Sequence, residues 1–307
     1  MKGFLIACVA LLTLGLFVGG PDYYDNEVVR ELWESGHFFL FLIASVYLFS
    51  YSKLNRMDTI RRALVVFGIL LLAAFLTEAL QLLVGRHFTG KDVLNDMLGA
   101  CAGLLLPRLR FKPHPARSVV FVLVIALLVF ISQRHLFAAV VQEVRLRQAF
   151  PVLSDFATAR QLDWWEGNSA RLSLSDSNVR NGKFSMRVDL NPGKYPGITL
   201  NHLFRDWQDY AFIRCSIFLE AAHPLDCVLM IYDRQHPGRG HHYRDRFNGE
   251  KSLHPGWNDF LVPLHLIENA PAGRTMDLTT IVVFSLFTVD LDQPVTFYLD
   301  SLALVKE

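Results

Sequence analysis

The sequence has few cysteines, almost no net charge and a low share of charged residues. Four cysteines among 307 residues are too few for a disulfide scaffold. Thirty basic residues balance 29 acidic ones, and the resulting net charge of +1 indicates no nucleic-acid partner. The sequence contains no G-x-S-x-G, Walker or H-E-x-x-H motif, so none of the corresponding hydrolase or nucleotide sites is indicated.

Hydrophobic residues are abundant instead, and most of the long apolar runs precede residue 135. They make up 52% of the chain against 19% charged residues, which is typical of a protein partly embedded in a membrane. A spanning helix needs about 20 mainly apolar residues. Five spans are predicted, at 3–20, 36–52, 63–84, 93–107 and 118–132, within a transmembrane domain of residues 1–133.

Basic residues predict how these spans are oriented. Segments 51–62 and 107–117 each contain four lysines or arginines, whereas segment 21–36 is mainly acidic. Loops rich in Lys and Arg remain in the cytoplasm. Five spans with a cytoplasmic N-terminus place the C-terminal half outside. We therefore expect a multi-pass protein of a bacterial inner membrane, with a periplasmic or extracellular C-terminal domain. The first run lacks a small-x-small cleavage site before Pro21, which favours an uncleaved anchor over a signal peptide.

A polar stretch separates the third and fourth predicted spans. Glu78 and Gln81 share one helix face, and Asp92 and Asp96 share another. Such residues in hydrocarbon are expected to be paired and to mark function by default. We expect a helical hairpin that gathers a polar cluster near the outer leaflet. The candidate members of this cluster within the hairpin are Glu78, Gln81, Arg86, Asp92 and Asp96.

The order of these residues resembles the signature of the VanZ-like family of small membrane proteins. The resemblance covers about residues 20–107 and rests on His37, Glu78-x-x-Gln81, Arg86-x-x-Thr89-x-x-Asp92, Gly99 and Gly103. Glu34 stands where the family usually has Lys, and Asp96 where it usually has Asn. The family's namesake is associated with low-level resistance to a glycopeptide antibiotic. The resemblance therefore adds His37 to the candidate polar cluster, implies a cell-envelope context and specifies no reaction.

Three interpretations of the polar cluster follow from its residue types. It could be a structural network of ion pairs and hydrogen bonds, or it could bind the headgroup of a lipid-linked glycan. Arg86 favours the second interpretation, because a guanidinium can hold a phosphate through two hydrogen bonds. The third is catalysis by His37, Glu78 or Asp92 with or without a metal.

The C-terminal half has the pattern of a β domain. Residues 134–150 predict an amphipathic connector helix, and short strands separated by Gly, Pro and Asn or Asp follow over 151–307. This pattern predicts an all-β sandwich. Segments such as "NGKFSMRVDL", "HPGWNDFLVPL" and "VTFYLDSLALV" resemble the jelly-roll, galactose-binding-like sandwiches of carbohydrate-binding modules. That resemblance implies a glycan ligand.

Aromatic platforms and planar hydrogen-bonding groups are the side chains a glycan site needs. The candidates are Trp164, Trp165, Tyr195, Asp233, Arg234, His236, His241, His242, Tyr243, Arg244 and Arg246, most of them in the loop "YDRQHPGRGHHYRDRFN". Trp207 and Trp257 are expected in the core. Asp300 on the last strand is a candidate ligand for a structural calcium, and no other cofactor is expected.

The sequence thus favours a non-catalytic envelope protein that binds a polysaccharide or a lipid-linked glycan. The sandwich would hold the sugar, and the membrane hairpin would contact the lipid end. Two alternatives remain open at this stage: an intramembrane enzyme acting on a lipid-linked glycan, and a structural protein that docks a partner.

Overall fold

The computed structural model describes residues 13, 15, 20–51, 54–83, 89–110 and 115–306. The chain divides into two compact units, Met1–Glu143 and Val144–Glu307. The predicted span 3–20 lies almost entirely outside the described residues, and so does Arg86.

Four long helices form the described part of the first unit. They are α1 (Glu27–Phe49), α2 (Thr59–Leu83), α3 (Gly90–Leu105) and α4 (Pro115–Ala149), with short 3-10 turns at Leu54–Arg56 and Leu106–Arg110. Side-chain caps lie at the starts of α1 and α3: Asn26 accepts a hydrogen bond from the backbone N–H of Val28, and Thr89 accepts one from that of Asp92. Such caps satisfy N–H groups that have no partner inside a helix, and they fix where α1 and α3 begin.

Three of these helices, α1, α2 and α4, are long and apolar enough to cross a membrane. The described residues therefore contain three such helices and not the five predicted spans. The predicted span 93–107 corresponds to α3, which has only 16 residues and reaches about 24 Å at 1.5 Å per residue, less than the hydrocarbon thickness.

Helix α4 contains both the last predicted span and the predicted connector 134–150. It runs for 35 residues without interruption, because no glycine or proline follows Pro115 at its first position. Its residues up to Glu143 belong to the first unit and its last turns to the second.

Helices α1 and α3 pack with their backbones in close contact. A Cβ added at Gly99 would clash with the carbonyl oxygen of Phe38, and one at Gly103 with that of Leu42. The Ser45 hydroxyl also donates a hydrogen bond of 2.9 Å to the carbonyl oxygen of Ala100. Small residues four apart permit this approach. Helix α3 consequently presents its polar side chains at the centre of the unit.

The second unit is a β-sandwich of two antiparallel sheets, which confirms the predicted order of helices followed by an all-β domain. The strands are β1 (Val152–Ser154), β2 (Trp165–Asn168), β3 (Ala170–Ser175), β4 (Ser185–Leu190), β5 (Gly197–Leu200), β6 (Phe212–Leu219), β7 (Leu225–Asp233), β8 (Phe247–Leu253), β9 (Gly256–Pro263), β10 (Ile281–Phe287) and β11 (Val295–Val305). One sheet has the order β3-β4-β11-β6-β9 with β1 beside β11, and the other has the order β2-β5-β10-β7-β8. Short helical elements lie between the strands: α-helices at Gln235–Gly238 and Leu264–Glu268, and 3-10 turns at Ala159–Trp164 and Tyr243–Asp245.

The core of the sandwich consists of the inward-facing side chains of both sheets. Trp207, Phe284 and Phe297 are among its largest buried members. Trp257, which was also expected in the core, is only half-buried on β9. Cys215 and Cys227 are buried free thiols on β6 and β7. Because these successive strands belong to different sheets, the two cysteines do not occupy a common hairpin.

Candidate functional site

The outer face of the five-stranded sheet carries two rows of side chains that cross every strand. The pairing register places Asn168, Gly197, Phe287, Val228 and Glu250 side by side in one row. The neighbouring row consists of Glu166, Thr199, Ser285, Met230 and Asn248. Five strands about 4.8 Å apart span about 19 Å, so each row is long enough to contact an extended ligand.

These rows form the floor of an open cleft of about 650 Å³. Small or apolar side chains occupy its centre, because Gly197 carries no side chain and Phe287 and Val228 follow it along the row. Polar groups lie at its ends, with Asn168 on the β2 edge and Glu250 on the β8 edge. An apolar floor with a few polar groups at the rim is the usual construction of a small-molecule site.

Two tyrosines stand on the rim of this cleft. Tyr195 is 49% exposed and Tyr243 is 61% exposed, and both line the cleft. Among the Phe, Tyr and Trp side chains of residues 144–306, these two are the only strongly exposed ones. The remaining rings of the unit contribute to its packing. The sandwich thus presents its free aromatic surface at one place.

Hydrogen bonds fix the backbone beneath both tyrosines. The Asn168 side-chain amide donates to the carbonyl oxygen of Tyr195 at 2.6 Å, and the Asn248 amide donates to that of Tyr243 at 2.9 Å. Asn248 in turn accepts a hydrogen bond of 3.0 Å from the Arg246 guanidinium. The guanidinium also lies 5.5 Å from the centre of the Tyr243 ring. These hydrogen bonds therefore fix the backbone of the rim independently of a ligand.

The described cleft is close to electrically neutral. Its charged lining residues are one arginine, Arg246, and one carboxylate, Glu250. Partial burial lowers the pKa of Arg246 from its usual value, but a guanidinium titrates so high that it stays charged. These groups can donate to and accept from hydroxyls, and they give no excess charge to attract a polyanion.

The predicted loop over residues 232–248 has two faces. Tyr243 and Arg246 line the cleft, whereas Asp233 and Asp245 turn inward to a residue that the sequence did not single out, Arg274. The Arg274 guanidinium bonds to both oxygens of Asp233, at 2.5 and 2.9 Å, and to both oxygens of Asp245, at 2.7 and 2.9 Å. Two carboxylates on opposite ends of the loop are thereby joined through one cation.

His236, the other inward-facing residue of the loop, contacts this ion network. Its Nδ1 lies 3.1 Å from the carbonyl oxygen of Asp245. Hydrogen bonds from Arg274 hold the pKa of Asp245 below its ordinary value, and burial lowers the pKa of His236. Asp233 and His236 are therefore structural supports of the loop instead of glycan contacts.

The remaining exterior candidates lie outside the cleft lining. His241, His242 and Arg244 are exposed, and Arg234 is half-buried. Trp164 and Trp165 are core residues and not platforms, because the aromatic pair lies between the sheets. The indole N–H of Trp165 donates internally to the hydroxyl of Ser154 at 3.2 Å.

Asp300 anchors backbone and does not resemble a calcium ligand. Its carboxylate accepts hydrogen bonds from the backbone N–H groups of Arg180 and Asn181, at 2.6 and 3.0 Å, and from the Ser301 hydroxyl at 3.1 Å. Calcium needs six to eight converging oxygens, whereas these neighbours direct hydrogens at the carboxylate.

Asn168 and Glu250 are cleft residues that sequence reasoning missed. A signal for Glu250 existed in the alternation of β8, because the position lies four residues after Arg246 and therefore on the same face. Asn168 had none, since its place in the row depends on the pairing of β2 with β5.

In the first unit, the structure brings four of the predicted polar residues together. His37, Glu78, Asp92 and Asp96 are all buried, and His37 Nδ1 lies 3.1 Å from an Asp96 oxygen. One ligand atom from each of His37, Glu78 and Asp92 lies within 4.8 Å of the others. Gln81 is buried one turn beyond Glu78 on α2.

Polar neighbours extend this cluster to the other helices of the unit. Ser132 on α4 donates to the Asn95 side chain at 3.0 Å, and the Ser35 hydroxyl donates to the Gln133 side chain at 2.6 Å. At the start of α3, Lys91 forms an ion pair of 2.5 Å with Glu34. Glu34, which departs from the VanZ-like pattern, thus has a partner of opposite charge.

Comparison with known proteins yields distant structural neighbours alone. No family model matches the chain, and no curated protein matches it, so the VanZ-like resemblance stays a prediction. An exo-β-agarase aligns with 51% of this chain and 25% of its own, at 16% identity and a TM-score of 0.42. A family 11 carbohydrate-binding module from Clostridium thermocellum, in complex with a mixed-linked tetrasaccharide, aligns with 50% of this chain and 94% of its own, at 15% identity and 0.39. The CBM22-1 xylan-binding domain of Paenibacillus barcinonensis Xyn10C aligns with 51% of this chain and 95% of its own, at 14% identity and 0.35.

Proposed function

We propose that the sandwich binds a neutral glycan chain along the cleft of its five-stranded sheet. The observation that carries the proposal is the placement of Tyr195 and Tyr243, the two strongly exposed aromatic residues described in the unit, on the rim of one cleft. Sugar rings present apolar C–H faces that stack on aromatic rings, and their hydroxyls need hydrogen-bonding partners between those rings. Asn168, Arg246 and Glu250 supply such partners.

The charge of the cleft supports a neutral ligand, and its composition supports binding without hydrolysis. One arginine and one carboxylate leave no net charge to select an acidic polysaccharide. Glycoside hydrolysis generally uses two carboxylates at a defined separation. Glu250 is the one carboxylate among the described residues that line the cleft.

We further propose that the helical unit anchors this binding domain in a cell-envelope membrane. The length and apolar composition of α1, α2 and α4 support a membrane location. The basic segments 51–62 and 107–117 support a cytoplasmic side for both loops that contain them, and hence an exterior sandwich. This arrangement requires the short helix α3 to return the chain across the membrane between α2 and α4, with local thinning of the bilayer. The polar cluster would then lie within a lipid environment, where a lipid-linked glycan could reach it.

Calorimetric titration of the full chain in lipid nanodiscs tests glycan binding. The titrants are neutral β-linked hexasaccharides of glucose and of xylose, together with an acidic oligogalacturonate of the same length. We expect a neutral oligosaccharide to bind and the acidic one to bind more weakly.

The variants Tyr195→Ala and Tyr243→Ala identify the site. Removing about 60 Å² of stacked ring surface costs about 1.5 kcal/mol, so each variant should weaken binding about tenfold. Leu261→Ala is the matched control, because Leu261 is comparably exposed on β9 in the opposite sheet. The proposal fails if no neutral oligosaccharide binds, or if both tyrosine variants bind as tightly as the control.

A further inference from the structure

The buried cluster of the first unit contains a histidine whose orientation is fixed from one side. His37 on α1 is 1% exposed, and its Nδ1 faces the fully buried carboxylate of Asp96 on α3. A hydrogen bond donated by Nδ1 to this carboxylate leaves Nε2 unprotonated, with a free lone pair. Among the described residues, no hydrogen-bond partner meets Nε2.

Glu78 on α2 contributes a second unsatisfied atom to the cluster. Its Oε2 accepts a hydrogen bond of 3.0 Å from the backbone N–H of Thr89, whereas its Oε1 has no partner in the described part of the chain. The residue is fully buried. An unpaired carboxylate oxygen in such surroundings costs several kcal/mol unless something occupies it.

Asp92 completes the group from the first turn of α3. One oxygen of Asp92, one of Glu78 and one ring nitrogen of His37 all lie within 4.8 Å of one another. Three helices therefore direct one acceptor atom each toward a common point. Within the described residues, no lysine or arginine forms an ion pair with Glu78, Asp92 or Asp96.

We propose that this cluster is a binding site for a divalent first-row transition-metal ion, of which zinc is the representative. The ligands are His37 Nε2, Glu78 Oε1 and a carboxylate oxygen of Asp92. Asp96 is a positioning residue that holds the His37 ring through Nδ1, as carboxylates commonly do for metal-bound histidines.

The geometry of the cluster fits such an ion. Tetrahedral ligands about 2.1 Å from zinc are about 3.4 Å apart. The observed separation of up to 4.8 Å exceeds that value by about 1.4 Å, and side-chain rotations must close this difference when the metal binds. One nitrogen and two oxygens suit zinc, manganese or iron better than calcium or magnesium, which prefer oxygen ligands alone.

The charge balance favours the same occupant. Glu78, Asp92 and Asp96 contribute up to three negative charges in a buried volume, and the described residues supply no compensating Lys or Arg. A divalent cation offsets two of these charges and provides a partner for His37 Nε2 and Glu78 Oε1. The third unsatisfied atom of the cluster, Asp96 Oδ2, belongs to the carboxylate that holds the His37 ring. Three protein ligands leave a fourth position for water or an oxygen of a bound headgroup.

Metal analysis of the full chain in detergent tests the site. The protein is stripped with a chelator, reloaded with Zn²⁺ and assayed for bound zinc. Replacement by Co²⁺ provides a spectroscopic readout, because tetrahedral cobalt absorbs strongly in the visible range. We expect one Zn²⁺ per chain and a tetrahedral Co²⁺ spectrum.

Substitutions identify which side chains bind the metal ion. His37→Gln and Glu78→Gln should lower zinc affinity at least a hundredfold, and Asp96→Asn should lower it about 10- to 100-fold. Glu34→Gln is the matched control, because Glu34 is a nearby carboxylate paired with Lys91 outside the cluster, and its affinity should equal that of the wild type. If a variant of a metal-binding residue fails to fold, the test uses the wild type alone. Zn²⁺ should then raise the thermal midpoint of the wild type, and Mg²⁺ should not. Wild-type protein that folds and retains no Zn²⁺, or Glu78→Gln protein that retains it as tightly as Glu34→Gln, would overturn the proposal.

Discussion

Arg274 should be one of the most sensitive positions of the sandwich. Its guanidinium is only 8% exposed and bridges Asp233, which is fully buried, and Asp245, which is 10% exposed. Replacing it with methionine preserves the length and apolar stem of the side chain but leaves two buried carboxylates without a counter-charge. Breaking a buried ion pair from one side typically costs about 3–5 kcal/mol.

This cost should be visible as a lower thermal midpoint. A domain of this size shifts by about 2–4 °C for each kcal/mol, so Arg274→Met should unfold about 6–20 °C below the wild type. Tryptophan fluorescence of the full chain in detergent can follow it, because Trp33 is the only one of five tryptophans before residue 144. Arg214→Met, at an exposed position on β6, is the matched control and should change the free energy of unfolding by less than about 0.5 kcal/mol.

The pH dependence of stability should change in the same variant. The pKa of Asp245 is lowered by Arg274, so this carboxylate stabilises the folded wild type above its unfolded pKa of about 3.9. That contribution is lost as the pH falls through the lower folded value. In Arg274→Met the lowering caused by Arg274 disappears, and stability should fall less steeply below about pH 4 on account of this group. An Arg274→Met protein with the midpoint of the control would refute the structural role of the network.

Three further predictions concern packing, thiol reactivity and pH. Gly99→Ala should destabilise the helical unit, because its methyl group would meet the backbone of the adjacent helix, whereas Gly68→Ala has open space and should be neutral or slightly stabilising in thermal unfolding. Burial raises the pKa of Cys215 and Cys227 to about 12, so in a background without the other cysteines a maleimide at pH 8 should label neither until the protein is unfolded. Burial lowers the pKa of His236, so the wild type should lose stability as the pH falls from about 6.5 through the lower folded value; His236→Gln should lack this loss in midpoint measurements.

The sequence predicted the architecture because hydrophobic periodicity is local. Long apolar runs indicated helices before residue 135, and alternating segments indicated strands after residue 151. The same reasoning overestimated the number of spans in the described chain, because α3 is apolar and yet only 16 residues long. An apolar run indicates that its side chains are shielded from water. Packing against neighbouring helices shields them as well as lipid does.

Within the polar cluster, spacing along each helix selected the carboxylates, and the resemblance to the VanZ-like signature selected His37. Glu78, Asp92 and Asp96 each lie on one face of a helix, and Gly99 marks the side where another helix approaches. The sequence left open which residues would touch. Only helix packing decided that His37 pairs with Asp96 and that a ring nitrogen of His37 lies within 4.8 Å of carboxylate oxygens of Glu78 and Asp92.

The cleft contains features that short segments of the sequence do not predict. The sequence by itself determined that a loop rich in Tyr, His, Arg and Asp follows β7, and that aromatic residues would be available for a ligand. Tertiary structure decided which of them face outward: Tyr243 and Arg246 line the cleft, whereas Asp233 turns to Arg274, 41 residues away in the chain. Strand pairing brings such distant residues together, and the register of that pairing depends on the whole core instead of on any short segment.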